Sequence, residues 1–322
     1  MKRQIIIALL VSAILASCSK NDTPAPPASP TSYLVLTVLD VTAGNYKLVK
    51  YNTDGTGEAA FIASRLAMGN AYAVPAVSPK GKKVVYTEGA MLKMMDVNTA
   101  AVTNIYTHSN TLIGCPAFSA DESKIVFSAS PAGEDMADLY IVNASENATP
   151  VKITSNGNDY MAFYPRFSPD GSKLTFVNGP EYNGGIYVSD LQGNNRVRIS
   201  EDHQAGDEDL YPVFTTDGTK VIYSSSKYGQ NHETYDLLLS SITEGAEGTT
   251  SRMFDGTYAG LTMSNFPVVS PDGLYLYFIG IDDLTDSQSI YKVSVAGGNP
   301  EKLITVFTGA TQMVANLAFV KE

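Results

Sequence analysis

Residue types that could do chemistry are sparse in this sequence and crowd into one stretch. Residues 201–209 (EDHQAGDED) set His203 among five carboxylates, and His232 follows in a loop near residues 227–234. Imidazole and carboxylate oxygens can share a divalent cation. His203, His232 and Asp207 therefore form one candidate metal site, with a solvated acidic loop as the other reading. His108, between Thr107 and Ser109 in a polar connection, reads as a surface residue. Asp282, Asp283 and Asp286 offer oxygens of the kind calcium takes, but their spacing is that of a hairpin tip and not of an EF-hand.

Nucleophilic chemistry has less support. No G-x-S-x-G elbow occurs, and no histidine stands in a recognisable Ser-His-Asp context. Of the two cysteines, Cys115 lies beside Pro116 at a strand start and reads as a buried structural thiol. The other, Cys18, closes Leu15-Ala16-Ser17-Cys18 after Lys2, Arg3 and the apolar run 5–15, which is the pattern of a secretory signal. That run is too short to remain as a membrane span. Leu15-Ala16-Ser17-Cys18 resembles the bacterial lipobox, which implies removal of residues 1–17 and acylation of Cys18. An ordinary signal peptide ending near a cysteine is the alternative. With Cys18 lipidated, Cys115 has no disulfide partner.

Residues 18–32 continue as a Pro-rich stretch without apolar periodicity and read as a disordered linker. Lys20 and Asp22 partly resemble the surface-export signals of lipoproteins in Bacteroidetes-like bacteria, so an outer-membrane anchor facing either the periplasm or the cell surface is expected. The net charge of −11 and pI near 4.7 argue against nucleic acid or an anionic bilayer surface as partner. Membrane contact is expected through the lipid alone.

These residues must be positioned by something, and the rest of the chain supplies it by repetition. Residues 165–176 (PRFSPDGSKLTF) are echoed at 75–86, 116–127, 212–223 and 267–278. In the first, Pro169 presets φ and Asp170-Gly171 supply the side-chain bond and the positive-φ position of a tight turn. Leu174 and Phe176 alternate with Lys173 and Thr175 at the strand period, so each copy is a β-hairpin with one apolar face. Third strands follow at 92–96, 138–142, 185–189, 235–239 and 289–293, and fourth strands at 102–106, 151–154, 197–200, 251–254 and 302–305.

The prolines at 75, 116, 165, 212 and 267 are 41, 49, 47 and 55 residues apart, which is the period of propeller blades. Five units leave three strands at the N-terminus (33–39, 46–51, 58–62) and one at the C-terminus (316–320). Three plus one completes a sixth blade. The fold class is therefore all-β: a six-bladed β-propeller over residues 33–322, in four-stranded antiparallel blades, closed by the C-terminal strand pairing with the N-terminal strands. Ala120-Asp121-Glu122 and Lys80 depart from the Pro-Asp-Gly turn, and altered turns are expected there.

The five P-x-[FV]-[ST]-x-[DK]-[GE] hairpins, with Tyr140, Tyr187 and Tyr291 in third strands, resemble the repeats of TolB-type six-bladed propellers across the whole mature chain. That superfamily includes partner-binding periplasmic propellers, propellers attached to serine peptidases, and oligogalacturonate-type lyases with histidines and a metal in the central cavity. The resemblance implies that the residues before each proline open onto the central channel. Tyr72, Tyr160, Met161, Asp209, Tyr211, Met263, Asn265 and Met313 are the candidate ligand-binding residues at that mouth, with interblade core packing as their other reading. A monomeric, envelope-anchored binding propeller for a peptide, protein or glycan is expected. It needs no cofactor, and the readings favour it over an enzyme. The alternatives are a metal-assisted lyase using His203, His232 and Asp207, and a scaffold subunit of an envelope complex.

Overall fold

The computed structural model describes residues 32–68, 73–109, 113–130, 136–155, 161–180, 184–201, 206–227, 234–242, 250–254, 261–282, 285–307 and 311–321. Every regular element among them is a strand, and the strands form six antiparallel sheets. Cys18, Tyr72, Tyr160, His203 and His232 lie outside the described residues.

Blade 1 holds β1 (Ser32–Asp40), β2 (Asn45–Asn52) and two outer pieces, β3 (Ala59–Ala60) and β4 (Leu66–Ala67), both paired with β2. Blade 2 is β5 (Ala76–Val77), β6 (Lys83–Glu88), β7 (Met91–Asp96) and β8 (Val102–Thr107). Blade 3 is β9 (Ile113–Phe118), β10 (Lys124–Ala129), β11 (Asp138–Asn143) and β12 (Val151–Lys152). Blade 4 is β13 (Met161–Phe167), β14 (Lys173–Gly179), β15 (Gly185–Asp190) and β16 (Val197–Arg198). Blade 5 is β17 (Asp209–Phe214), β18 (Lys220–Ser225), β19 (Asp236–Ser241) and β20 (Ser251–Arg252). Blade 6 is β21 (Leu261–Val269), β22 (Tyr275–Asp282), β23 (Gln288–Ser294) and β24 (Glu301–Phe307). The final strand, β25 (Gln312–Lys321), returns to pair with β1 from Ser32↔Lys321 to Asp40↔Gln312 and closes the ring as expected.

In three blades the outer strand is short: β12, β16 and β20 have two residues each, and the single outer strand expected at 58–62 is instead the pair β3 and β4. An outermost strand bonds on one side only, so little resists its twisting away from the ladder.

Each inner hairpin turns through one device. The Ser168 hydroxyl donates to Asp170 Oδ1 at 2.6 Å, and the same oxygen accepts the Ser172 N–H at 3.0 Å. Gly171 at φ 70° donates its N–H to the Ser168 carbonyl at 2.9 Å. Thr215 with Asp217, and Ser270 with Asp272, repeat the side-chain bond at 2.6 and 2.5 Å. The altered turns expected at Lys80 and Glu122 are not found. Gly81 and Glu122 donate to the Ser78 and Ser119 carbonyls at the same 2.9 Å, with Glu122 held at φ 62° where the other turns use glycine. The Glu122 carboxylate accepts the Lys80 N–H at 2.8 Å and so ties the turn of blade 3 to that of blade 2.

Apolar faces pack between neighbouring blades. Val85 and Ile105 of blade 2, for example, join Ile113 and Phe127 of blade 3 in one buried cluster. The third-strand tyrosines Tyr140, Tyr187 and Tyr291 stack on Phe127, Phe176 and Phe278 with ring centroids 5.7, 6.2 and 5.5 Å apart. His108 is not a surface residue. It is buried between Tyr106 and Tyr140, with Nε2 2.6 Å from the Ser130 carbonyl and Nδ1 3.1 Å from the Tyr106 hydroxyl. Its ring satisfies a carbonyl at the seam of blades 2 and 3, where a smaller polar side chain would leave it unmet.

Adjacent blades are also latched through their backbones. Three residues before the proline, Ala162, Asp209 and Ser264 donate N–H bonds to Ala137, Gly184 and Tyr235 of the preceding blade. Val314, three before Leu317 at the proline position of β25, donates instead to Gln288 Oε1 at 2.7 Å. These latches fix the height at which each inner strand enters the channel.

Candidate binding cleft and channel

The inner strands of blades 3 to 6 break register around the proline. The pairing slips between Phe163 and Arg166, between Leu210 and Val213, and between Asn265 and Val268. At these bulges Cys115, Tyr164, Tyr211 and Phe266 adopt φ of 48°, 50°, 53° and 53°. Non-glycine residues rarely enter this region, and a following proline biases them toward extended backbone. Each such residue costs on the order of 1 kcal/mol, which the latched blades on either side must offset.

At least one side chain per blade lines the channel at this height. Val74, Cys115, Tyr164, Tyr211, Phe266 and Asn316 converge around a residual space of only about 20 Å³, so the channel is plugged at this height. Tyr211 stacks between Tyr164 and Phe266, with centroids at 4.6 and 4.3 Å. Burial pushes its hydroxyl up to about 12, with a hydrogen bond from Tyr164 working the other way. Burial likewise raises the Cys115 thiol to about 11, so it stays protonated and poorly nucleophilic at neutral pH. The expectation of an inert Cys115 holds, although no sequence signal showed that it belongs to the plug.

Between blades 4 and 5 a cleft of about 190 Å³ opens beside the plug. Met161 and Phe163 of β13, Val177 of β14 and Leu210 of β17 form its apolar wall, and Glu208 and Asp209 bring two carboxylates to it. Asp209 is fully buried and donates its N–H to the Gly184 carbonyl at 3.2 Å. Glu208 is fixed by the Tyr235 hydroxyl, which donates to Oε2 at 3.0 Å, while its own N–H donates to Ser226 Oγ at 2.8 Å. The Tyr235 hydroxyl is raised by burial first and by the Glu208 charge second, so at neutral pH it remains a donor.

The expected mouth residues therefore separate. Met161 and Asp209 line the cleft, whereas Tyr211 belongs to the plug. Met263 forms a bridge with Tyr235 of blade 5, and its sulfur lies 3.9 Å from Asn265 Nδ2. Met313 is exposed on β25. Asp207, assigned to a metal set, is buried, and among the described residues no three His, Cys, Asp or Glu side chains come together as a metal-binding group. Of the second acidic group, Asp283 lies outside the described residues; Asp282 and Asp286 sit in the turn between β22 and β23, where Asp282 Oδ1 accepts the Thr285 N–H and hydroxyl at 3.1 and 2.9 Å.

Glu208 stands next to Asp209 in the acidic run 201–209, beside the expected mouth. Arg166, which also faces the plug, had a clearer signal. The position after the proline reads Ala76, Ala117, Arg166, Val213 and Val268, and Ala318 follows Leu317, so one repeat in six carries a charge there.

A family profile described as TolB beta propeller domain matches residues 31–315. A Tol-Pal system protein TolB of Francisella tularensis subsp. mediasiatica is 26% identical over 250 residues, covering 74% of this chain and 52% of that protein. The chain thus spans about half the length of the curated relatives it matches. Among solved structures, TolB from Acinetobacter baumannii aligns with a TM-score of 0.68 at 19% identity, over 92% of this chain and 68% of that one. Oligogalacturonate lyase from Vibrio parahaemolyticus aligns with a TM-score of 0.56 at 14% identity, over 86% and 80%. At such identities the two structural matches establish the shared fold.

Proposed function

The chain belongs to the TolB β-propeller family, and from that premise we propose that it is a non-catalytic binding propeller, anchored to the envelope through Cys18, that takes a protein segment in the cleft between blades 4 and 5. The observation that carries this reading is the cleft itself, with an apolar wall of Met161, Phe163, Val177 and Leu210 and the carboxylates of Glu208 and Asp209 beside it. Its volume of about 190 Å³ falls below the roughly 300–1,000 Å³ of pockets that enclose a whole small ligand. It suits one or two anchoring side chains of a partner better than an oligosaccharide. A lyase reading draws on a likeness of fold alone and on His203 and His232, which lie outside the described residues.

Burying one aliphatic side chain contributes about 1.5–3 kcal/mol, or roughly tenfold to a hundredfold in Kd. Met161→Ala with Leu210→Ala is therefore expected to cut recovery of a crosslinked envelope partner at least tenfold, while the far-UV spectrum stays unchanged. Equal recovery by the double variant would overturn the cleft assignment. In the same cells Cys18→Ser is expected to move the chain from the membrane to the soluble fraction; retention on the membrane would refute the anchor.

A further inference from the structure

Arg166 is the charged exception at a position that the other five repeats fill with alanine or valine. Those side chains are small and apolar; Ala76 and Ala117 are buried in the packing between blades. Arg166 instead reaches the residual space of the channel plug, where it meets Cys115, Tyr164, Tyr211 and Asn316. It is the only ionisable residue charged at neutral pH among the described residues lining that space, because burial keeps the Cys115 thiol and the Tyr211 hydroxyl protonated.

Arg166 is half-buried, and its guanidinium has five N–H donors. Here Nη1 donates to the Pro165 carbonyl at 2.9 Å. No carboxylate among the described residues pairs with it, and its pKa is lowered mainly by burial, with Cys115 and Tyr164 as its electrostatic neighbours. The cross-strand neighbour, Thr175, is fully buried and its hydroxyl oxygen has no hydrogen-bond partner. The plug therefore carries a net positive charge with donors left over.

We infer that the channel plug is an anion site, in which Arg166 holds one small anion, a chloride or a carboxylate group, against the surrounding tyrosines and Asn316. The residual space of about 20 Å³ sets the size, since one water-sized species needs roughly 10–15 Å³. An inorganic halide and the carboxylate of a small acid share the chemistry that Arg166 recognises, a compact negative charge that accepts N–H bonds. The site shares Tyr164 with the cleft between blades 4 and 5, but Arg166 lines the plug and not the cleft, so variants at Arg166 test it apart from the partner proposed there.

The test uses the full-length chain at constant ionic strength, exchanging gluconate, which exceeds the space, for chloride or for formate. A saturable rise in Tm with chloride or formate but not with gluconate is expected, and whichever anion produces it identifies the source. Arg166→Leu, which restores an apolar residue at this position, is expected to abolish that rise, and Arg166→Lys to keep a weaker one. A crystal soaked in bromide is expected to show an anomalous peak beside the guanidinium, a readout that needs no variant. Identical Tm curves in the three salts, an undiminished chloride response in Arg166→Leu, or bromide peaks confined to the outer surface would each overturn the assignment.

Discussion

At the scale of single residues, two departures from the repeat meet one another. Lys80 removes the turn carboxylate of blade 2, and Glu122 occupies a positive-φ position that glycine fills in the neighbouring hairpins, yet Glu122 accepts the Lys80 N–H at 2.8 Å. Glu122→Ala would keep the backbone strain and lose the bond, and is expected to destabilise by about 1–2 kcal/mol, since a hydrogen bond to a charged group contributes about 1.5–3 kcal/mol net. Glu122→Gly relieves the strain while losing the same bond, and is expected to fall within about 1 kcal/mol of the parent. Urea midpoints for the two variants decide it; equal losses would mean that the strained φ contributes nothing. The sequence marked both positions as exceptions. That they meet depends on the ring bringing two turns side by side.

At the scale of the element, the hairpin turn is a local device, legible in blades 4, 5 and 6 but not in blades 2 and 3, which keep the same backbone bond without the full motif. Serine or threonine, aspartate and glycine within four residues build it wherever they occur, and the carboxylate is the acceptor at its centre. Hydrogen bonds from Ser168 and Ser172 hold Asp170 down at about 2, and those from Ser119 and Ser123 do the same for Asp121. Both lie below the ordinary value of 3.8. A carboxylate depressed in the folded state stabilises it above the unfolded pKa, and that contribution is lost as pH falls through the folded one. Asp170→Asn is accordingly expected to lower Tm at pH 6 and to converge on the parent between about pH 4 and pH 2. A Tm difference that stays constant across this window would show that the charge is immaterial to the turn.

At the scale of the whole molecule, closure depends on β25, whose pairing with β1 runs along the full length of both strands. Without it β1 becomes an open edge of sequence Tyr33-Leu34-Val35-Leu36-Thr37-Val38-Leu39, apolar and nearly uncharged, which is the kind of edge that recruits other strands. Removing residues 312–322 is expected to shift elution from that of the full chain to aggregates and to broaden thermal unfolding; a truncated chain that elutes like the full chain and melts cooperatively would contradict closure by this strand. By itself the sequence determined what depends on neighbours along the chain: the turns, the strand period, the blade count and the three-plus-one closure. Tertiary structure alone decided what depends on neighbours around the ring. It set the left-handed bulges at Cys115, Tyr164, Tyr211 and Phe266, put Met161 and Asp209 in the cleft and Tyr211 in the plug with Met263, Asn265 and Met313 in neither, and buried His108 at a blade seam. Local patterns record which face of a strand is apolar, whereas the side chains that converge on one axis come from six segments tens of residues apart.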